Sequence, residues 1–429
     1  MKAAVIGLGV EGRSASKSLL KHGWSVYASD LQTDINLKDL GMPITDINVS
    51  TDNTEQISIV ADDIYIDLGS NDINQINSCD AIVLSPSMWK SKFANQFKSS
   101  GKLLQDILTK HRTIYTIGVT GTNGKTTSVY MIKSILEDGG KKVLVGGNAG
   151  GGFKGYYDLI LEAYIGDYDV ILVEVCDMTL SFCNDCFDFD LIALTNMGND
   201  HMDVHGSMEN YRDELIHLFN NKKIIIPENH QYLEDFSKVS INHNIFTEYP
   251  FDFNLVGNFN RLNAGLALEV AREIGISDNI TKNTLKNFQA VEGRLKVFNL
   301  YESSIYIGKT DNSDAVKSIF DEVDFYAAFI GTPRPNEKYR LDILDEVVRH
   351  NPKIIILFPG LANTINMARY HLDLLNYKGE VYIANNLDEL ISFVAEYAHE
   401  DPLFIGGNGQ EVIVSIQKRL EKLCKVCNS

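Results

Sequence analysis

A glycine-rich loop at residues 121–127 constrains the fold of this chain more than any other feature. The loop reads Gly121-Thr122-Asn123-Gly124-Lys125-Thr126-Thr127 and directly follows the apolar stretch 113–119. A strand that ends in such a turn and opens a helix directs several backbone N–H groups at one point, where the helix dipole and a lysine add positive charge. Such a point binds phosphate, and the hydroxyl that follows the lysine commonly ligates Mg²⁺. The sequence therefore predicts a strand, loop and helix that bind a nucleoside triphosphate.

One position of this loop departs from the general nucleotide-binding pattern. The pattern G-x-x-x-x-G-K-[ST] has glycine where this chain has Val119. The alternative is a glycine turn that only joins a strand to a helix, and the pair Lys125-Thr126 argues against it because it stands in the right context. We therefore expect ATP or GTP chemistry at the loop.

The length and composition indicate a multidomain globular protein. A chain of 429 residues is too long for one hydrophobic core and fits about three domains of roughly 100 to 200 residues each. The formal net charge of −18, without a local cluster of basic residues, argues against nucleic acid as a partner. No apolar run approaches the ~20 residues that span a bilayer, and the chain starts in a strand pattern rather than a signal peptide. We expect a cytoplasmic monomer without membrane insertion.

Four of the six cysteines form two C-x-x-C pairs, Cys183 with Cys186 and Cys424 with Cys427. Two such pairs could make a four-thiolate zinc site, but they lie much farther apart in the sequence than the pairs of a compact zinc ribbon. Reduced cytosolic thiols are therefore the favoured interpretation, and zinc is the alternative.

The first hundred residues have the pattern of a Rossmann-like domain. A strand leads into the turn Gly7-Leu-Gly9-Val-Glu-Gly12, a helix follows, and a second strand ends at Asp30. A G-x-G-x-x-G turn with an acid at about this spacing is typical of NAD binding. Because an ATP loop follows downstream, a different nucleotide-containing ligand is the other possibility. A later strand, residues 81–84, ends at Ser85.

The rest of the chain alternates apolar strands with helical segments. In the middle segment the apolar runs are near-continuous, which is typical of a parallel sheet buried on both faces. The last segment repeats the alternation from residue 304 onward. The sequence therefore predicts an α/β protein of three domains, with boundaries near residues 105 and 297.

Two further residues fit chemistry beside the phosphate loop. Glu174 ends the apolar strand 170–174, and His201 follows another strand end, which is where open α/β sheets place their ligands. A carboxylate and an imidazole, together with the Thr126 hydroxyl, can bind a divalent metal near phosphates. Taken alone, His201 would more often be an ordinary hydrogen-bonded histidine.

These motifs resemble those of the Mur ligase family and follow one another in the family's order. Besides the loop, the matching segments are EVCDMTLSF from Glu174, TNMGNDHMDVHG from Thr195, the turn at Gly147-Asn148, residues 257–264, Gly293-Arg294-Leu295, and Asp311. The resemblance covers almost the whole chain. It implies a Rossmann-like domain for a UDP-linked substrate at 1–105, a central P-loop ATPase-type domain at 106–297, and a C-terminal Rossmann-like ligase domain at 298–429.

The resemblance also implies roles for individual residues. ATP would contact residues 121–127 together with Asn260, Asn263, Arg294 and Asp311. The substrate would contact Gly7, Gly9, Gly12, Asp30, Ser85 and Asn148, and Arg334 is a candidate contact to the incoming amino acid. Thr126, Glu174 and His201 would hold Mg²⁺, and Lys125, Glu174 and His201 would be catalytic.

The implied reaction is the ATP-dependent and Mg²⁺-dependent joining of an amino acid to a carboxylate of a UDP-linked cell-wall precursor through an acyl phosphate. One departure concerns the metal: many members have a lysine, modified to a carbamate that helps hold a second Mg²⁺, where this chain has Leu215. Asp213 or Glu214 could supply negative charge instead, or both could be exposed acids of an amphipathic helix.

The departures, together with the short interval between His201 and Asn260, resemble the pseudomurein peptide ligases of methanogenic archaea. A divergent bacterial ligase that adds D-glutamate to UDP-N-acetylmuramoyl-alanine is the alternative within the family. A non-catalytic nucleotide-binding homologue that retains the fold and an NAD-dependent oxidoreductase are the alternatives from other functional classes.

Overall fold

The computed structural model describes residues 1–37, 40, 46–50, 56–61, 63–198, 201–399 and 401–427. Within these ranges the strands form three six-stranded sheets, with helices between the strands. The three sheets, which are mainly parallel, confirm the predicted α/β fold class.

The first sheet is built from the first eighty-odd residues. Its elements are β1 (Lys2–Ile6), α1 (Val10–Lys21), β2 (Ser25–Asp30), β3 (Asp46–Ser50), β4 (Gln56–Ala61), β5 (Ile64–Leu68), α2 (Ile73–Ser78) and β6 (Ala81–Leu84), followed by α3 (Lys92–Lys98) and α4 (Leu104–Ile107). The strand order is β3-β4-β5-β2-β1-β6. The pairs of β1 with β2, β1 with β6 and β2 with β5 are parallel, whereas β3 and β4 add an antiparallel edge.

The second sheet carries the glycine-rich loop. Its elements are β7 (Tyr115–Thr120), α5 (Lys125–Asp138), β8 (Val143–Gly147), α6 (Tyr156–Ile165), β9 (Val170–Glu174), α7 (Leu180–Cys186), β10 (Leu191–Leu194), α8 (Met202–His205), α9 (Met208–Phe219), β11 (Lys223–Pro227), α10 (Leu233–Val239) and β12 (Asn242–Phe246). The order is β12-β11-β10-β7-β9-β8, and each of these pairs is parallel.

The order of the second sheet reverses between β7 and β10. From β7 the chain runs to β8 and β9 on one side, and then crosses to β10 on the other. Ligands of open α/β sheets bind beyond the carboxyl ends of the strands at such a switch point. The loop at residues 121–127 follows β7 and therefore lies at this point.

The third sheet follows two helices, α11 (Asn258–Glu273) and α12 (Asp278–Asn287). Its elements are β13 (Lys296–Leu300), β14 (Ser303–Ile307), α13 (Ser313–Phe320), β15 (Ala327–Gly331), α14 (Asp342–His350), β16 (Ile354–Phe358), α15 (Ile365–Leu374), β17 (Glu380–Ile383), α16 (Leu387–Tyr397), β18 (Leu403–Gly407) and α17 (Gln410–Cys427). The order is β13-β14-β18-β15-β16-β17, and the hairpin of β13 with β14 is its antiparallel pair.

The first two sheets share one hydrophobic core. A continuous cluster of buried side chains includes the central strands of the first sheet, residues of α6, and residues of the second sheet. The chain accordingly forms one compact unit from residues 1–197, 201–247 and 266–281, and a second from 198–200, 248–265 and 282–429. The domain boundary expected after residue 297 falls inside β13. None of the described helices is long and apolar enough to cross a membrane.

Two glycines of the first turn provide a test of this packing. A Cβ on Gly12 would lie 1.8 Å from the carbonyl oxygen of Gly7, whereas a Cβ on Gly9 would meet nothing within 4 Å. Backbone cannot move aside cheaply, so we expect Gly12→Ala to destabilise the protein by roughly 1–3 kcal/mol or more. Gly9→Ala is the matched control and should leave the melting temperature nearly unchanged. Equal melting temperatures for the two variants would contradict the close approach.

Candidate active site

The loop between β7 and α5 has the backbone geometry of a phosphate-binding loop. Gly121 has φ of 130°, and Gly124, which precedes the first residue of α5, has φ of 82°. A Cβ on Gly121 would lie 2.2 Å from the hydroxyl oxygen of Thr195. The predicted turn that opens α5 at Lys125 is therefore present, and glycine is required at its first position.

The end of β10 braces this loop from the neighbouring strand. The Thr195 hydroxyl donates to the carbonyl of Asn123 at 2.6 Å. The Asn196 side chain accepts from the N–H of Asn123 at 2.9 Å and donates to its carbonyl at 3.1 Å. Thr195 and Asn196 lie in the motif that the sequence singled out, although no role was predicted for them. They fix the backbone of the loop at Asn123.

Lys125 is held against its own loop. Its ammonium donates to the carbonyl of Thr122 at 2.9 Å and to that of Gly121, and it lies 3.8 Å from a carboxylate oxygen of Asp177. The buried Thr126 follows it in the first turn of α5. Lys125 and Thr126 therefore stand together at the amino end of the helix, as the sequence predicted.

Glu174 lies beside the loop and has one free oxygen. The register of β7 with β9 pairs Glu174 with Val119, two residues before the loop begins. The residue is 1% exposed, and its Oε1 accepts from the Asn148 amide at 3.0 Å. Its Oε2 is buried without a hydrogen-bond partner in the described structure. A buried carboxylate oxygen without a donor is costly unless a cation or a ligand satisfies it, so the residue fits a metal ligand.

His201 has a structural role at the start of α8. Its φ is 50°, and its carbonyl accepts from the N–H groups of Val204 and His205 at 2.8 and 3.0 Å. Glu174 and His201 do not belong to a described cluster of three His, Cys, Asp or Glu ligands within 4.8 Å. Because Asp200 lies outside the described residues, the metal set of Thr126, Glu174 and His201 stays a prediction.

A row of alternating charges runs from Lys125 towards the first sheet. Asp177 lies 3.4 Å from Nε2 of His205, and Nδ1 of His205 lies 3.3 Å from Glu214. Glu214 in turn pairs with Lys90, which follows the Ser85 turn of the first sheet. Of the two acids considered as replacements for the family's lysine, Glu214 thus joins this row, whereas Asp213 pairs with Arg212 nearer the solvent.

The pKa values in this row reflect the opposite charges. Burial alone would raise the pKa of Asp177, but Lys125 and His205 hold it well below its usual range. Burial alone would lower the pKa of His205, but Asp177 and Glu214 raise it to about 9. His205 is therefore a cation at neutral pH. Leu215, next to Glu214, is fully buried and contributes only packing.

The glycine turn of the first sheet gathers the other substrate candidates. Gly7 has φ of 88°, and a Cβ there would lie 2.8 Å from Cβ of the buried Ser85. Asp30 accepts from the N–H of Leu8 at 2.6 Å, so its carboxylate is bonded to the turn itself. Gly7 and Ser85 follow β1 and β6, Asp30 is the last residue of β2, and all three lie at the same edge of the sheet. Their binding role stays a prediction.

Glu11, inside the same turn, connects the first two sheets. Its carboxylate accepts from the N–H of Ala149 at 2.7 Å and from that of Tyr156 at 3.3 Å. Burial raises the pKa of Glu11 to about 7. The residue thus anchors the turn that contains Asn148, whose amide holds Glu174. The pattern G-x-G-x-x-G did not predict this role, because Glu11 occupies one of its x positions, where any residue is allowed.

The remaining ATP candidates lie in the second compact unit. Asp311 accepts from Arg340 at 2.8 Å and pairs with Lys309 at 3.0 Å. Burial alone would raise its pKa, but these two cations hold the pKa well below the usual range. Arg334 is 55% exposed and pairs with Glu337 at 3.2 Å. Lys309 and Arg340 were not predicted, because no motif marks them.

The two asparagines and the arginine of the central motifs are also placed in this unit. The buried Asn260 donates to the carbonyl of Val256 at 2.7 Å, and Asn263 donates to Asn260 at 3.5 Å. The carbonyl of Arg294 accepts from Gln417 at 2.9 Å. The roles of Asn260, Asn263, Arg294, Asp311 and Arg334 stay predictions.

The cysteines of the first pair are core residues. Cys183 and Cys186 are fully buried, and burial raises the pKa of Cys183 to about 12. Zinc binds thiolates, which such burial disfavours. The side chain of Cys427 lies outside the described residues, so the zinc alternative is tested only on the first pair.

Residues 119–247 match the Mur ligase middle domain family. A UDP-N-acetylmuramoylalanine–D-glutamate ligase from Desulfotalea psychrophila is 25% identical over 433 residues, which cover 92% of this chain and 88% of that protein. The middle of the chain, residues 119–247, is therefore a Mur ligase middle domain. The enzyme of the same name from Wolbachia pipientis wMel is 33% identical over 234 residues, which are 52% of this chain and only 40% of that relative's length.

A solved structure supports the Mur ligase fold. The pseudomurein peptide ligase type C from Methanothermus fervidus superposes with a TM-score of 0.59 at 19% identity, covering 98% of this chain and 99% of that one. At this identity the similarity establishes the fold and not the substrate.

The Glu11 carboxyl predicts a specific pH dependence of stability. Its pKa lies near 7 in the folded protein and near 4.5 ordinarily, so between these values the folded state keeps a proton that the unfolded state has lost. Stability should therefore fall as the pH rises through this window, by on the order of 1–3 kcal/mol. Glu11→Gln should remove this fall.

The measurement is the melting temperature of the wild type and of Glu11→Gln between pH 4.5 and 7.5. The exposed Glu137 on α5 provides the control variant Glu137→Gln, which should follow the wild type. Parallel curves for the wild type and Glu11→Gln would disprove the raised pKa.

Proposed function

We propose that the chain is an ATP-dependent ligase that joins an amino acid to a carboxylate of a UDP-linked cell-wall precursor. The observation that carries the proposal is the phosphate loop at the switch point, with Lys125 at its centre and the free buried oxygen of Glu174 on the adjacent strand. The match of residues 119–247 to the Mur ligase middle domain and the similarity to curated D-glutamate ligases support the reaction class.

The proposed reaction requires charge stabilisation more than acid–base chemistry. A carboxylate oxygen of the acceptor attacks the γ-phosphorus of ATP, and ADP leaves, giving an acyl phosphate. The neutral amine of the incoming amino acid then attacks the acyl carbon, and phosphate leaves as the amide forms and the nitrogen loses one proton. The loop N–H groups and Lys125 oppose the negative charge of the transferring phosphoryl group.

Thr126, Glu174 and His201 would hold Mg²⁺ in this site. The Oε2 atom of Glu174 fits that role, since a hard cation prefers carboxylate oxygens and this buried oxygen has no hydrogen-bond donor among the described residues. When bound, Mg²⁺ supplies further neutralisation of the phosphate charge. Lys125 and the backbone of the loop would orient ATP.

The edge of the first sheet would hold the UDP-linked acceptor. Gly7, Gly9, Gly12 and Ser85 line the turn, and Asn148 lies across from it in the second sheet. The names of the curated relatives, which are UDP-N-acetylmuramoylalanine–D-glutamate ligases, support a UDP-linked acceptor. The NAD alternative rests on the first turn and Asp30 alone and leaves the ATP loop at residues 121–127 unexplained.

We propose roles in ATP and amino-acid binding for residues of the second compact unit as well. Asn260, Asn263, Arg294 and Asp311 are the proposed ATP contacts there, and Arg334 is the proposed contact to the amino-acid carboxylate. Asp311 already has two cationic partners, which keep it ionised and able to accept from ribose hydroxyls.

Two wall pathways remain as acceptor sources. The pseudomurein assignment rests on Leu215 in place of the carbamate lysine and on the short interval between His201 and Asn260. The D-glutamate-adding alternative is supported by the names of the curated relatives. The two alternatives are discriminated by a screen of amino acids with UDP-linked amino-acid and peptide acceptors, in which the product mass is measured. Only the D-glutamate-adding ligase accepts UDP-N-acetylmuramoyl-alanine together with D-glutamate.

The Lys125→Ala variant tests the proposed chemistry. Loss of a positioned cation at the transferring phosphoryl group typically costs about 10²–10³-fold in rate, so acceptor-dependent phosphate release should nearly vanish while the variant still folds, because His205 continues to accompany the buried Asp177. Lys133→Ala on the same helix is the control, because Lys133 pairs with Glu137 at 3.7 Å and has no ion pair with the loop among the described residues. Near-normal turnover by Lys125→Ala would refute the proposal. A wild-type protein that binds ATP but turns over no acceptor would favour a non-catalytic homologue.

A further inference from the structure

We propose that Asp177 is a positioning residue that fixes the ammonium of Lys125 over the phosphate loop. The inference rests on the proposed function only in assuming that Lys125 contacts the phosphates of ATP. Asp177 follows β9 by three residues and belongs to neither the loop nor the proposed metal set.

The contacts of Asp177 place it between two cations. The residue is 2% exposed, one carboxylate oxygen lies 3.8 Å from the Lys125 ammonium, and the other lies 3.4 Å from Nε2 of His205. A buried carboxylate is stable only when opposite charges accompany it. Lys125 is therefore tied to a side chain that cannot itself leave the site.

His205 is fixed in turn by its surroundings. Its ring is buried and stacks on Tyr211, with centroids 4.4 Å apart and planes 19° apart. The other ring nitrogen lies 3.3 Å from Glu214, which pairs with Lys90. Asp177 thus has a rigid partner on the side away from Lys125.

A lysine needs such a constraint more than an arginine would. Its ammonium is a point charge on a flexible four-carbon stem, whereas catalysis benefits from charges that are already in place. Asp177 cannot serve as a phosphate ligand, because two anions repel. Asp177 instead directs the ammonium of Lys125, so its removal should reduce the contribution of Lys125 to nucleotide affinity.

A double-mutant cycle on nucleotide affinity tests the inference. Binding of the non-hydrolysable analogue AMPPNP with Mg²⁺ is measured calorimetrically for the wild type, Lys125→Ala, Asp177→Asn and the double variant. We expect Lys125→Ala to weaken binding by about tenfold or more in the wild type and by less than about threefold in the Asp177→Asn background. The same fold loss in both backgrounds would overturn the inference.

Matched variants separate positioning from general damage. Asp185→Asn is the control, because Asp185 accepts from Trp89 at 2.8 Å without touching Lys125, and its cycle with Lys125→Ala should be additive. Asp177→Glu keeps the charge and should restore part of the coupling. If Asp177→Asn does not fold, Asp177→Ala takes its place in the cycle and is read in the same way.

The cycle separates this inference from the proposed function. It needs no acceptor, so a coupled cycle in a protein that releases no phosphate with any acceptor would uphold the positioning role and refute the ligase. A wild-type protein that forms product and gives an additive cycle would refute the positioning role and uphold the ligase. A wild type that fails to bind AMPPNP would overturn both.

Discussion

The contact between the phosphate loop and the end of β10 is the interaction on which the rest of the site depends. Thr195 and Asn196 bond to both backbone groups of Asn123, and the hydroxyl of Thr195 leaves no room for a side chain on Gly121. These bonds require β7 and β10 to be neighbours, which the strand order of the second sheet provides. These bonds hold the loop in one shape, which lowers the free-energy cost of ordering it when a nucleotide binds.

Charge around this loop is balanced within the protein. Lys125, Asp177, His205, Glu214 and Lys90 alternate in sign, so each buried group faces an opposite charge. The free oxygen of Glu174 stands apart from this row, which is consistent with a cation that arrives with the nucleotide. Together the two features fit a site that has one fixed positive charge, on Lys125, and the proposed position of a second, on Mg²⁺.

The sequence predicted what is local and missed what depends on tertiary contacts. Strands such as β9, with five consecutive buried residues, follow from apolar runs, and the loop follows from spacing within seven residues. The edge strand β12 was not predicted, because its residues 242–246 are mostly polar and largely exposed. The row of charges from Asp177 to Lys90 was missed for a different reason: its members come from separate segments, and no local spacing marks them. Glu11 was hidden in the same way, since its partners lie in another sheet.

The central claim is that the loop activates a carboxylate for attack by an amine, and transfer of an isotope tests it most directly. An acceptor labelled with ¹⁸O in its carboxylate is turned over with ATP and the amino acid, and the released phosphate is analysed by mass spectrometry. Since the acceptor oxygen becomes the bridging oxygen of the acyl phosphate and leaves with phosphorus, the account predicts one ¹⁸O in phosphate for each amide formed. Amide formation with unlabelled phosphate would contradict it.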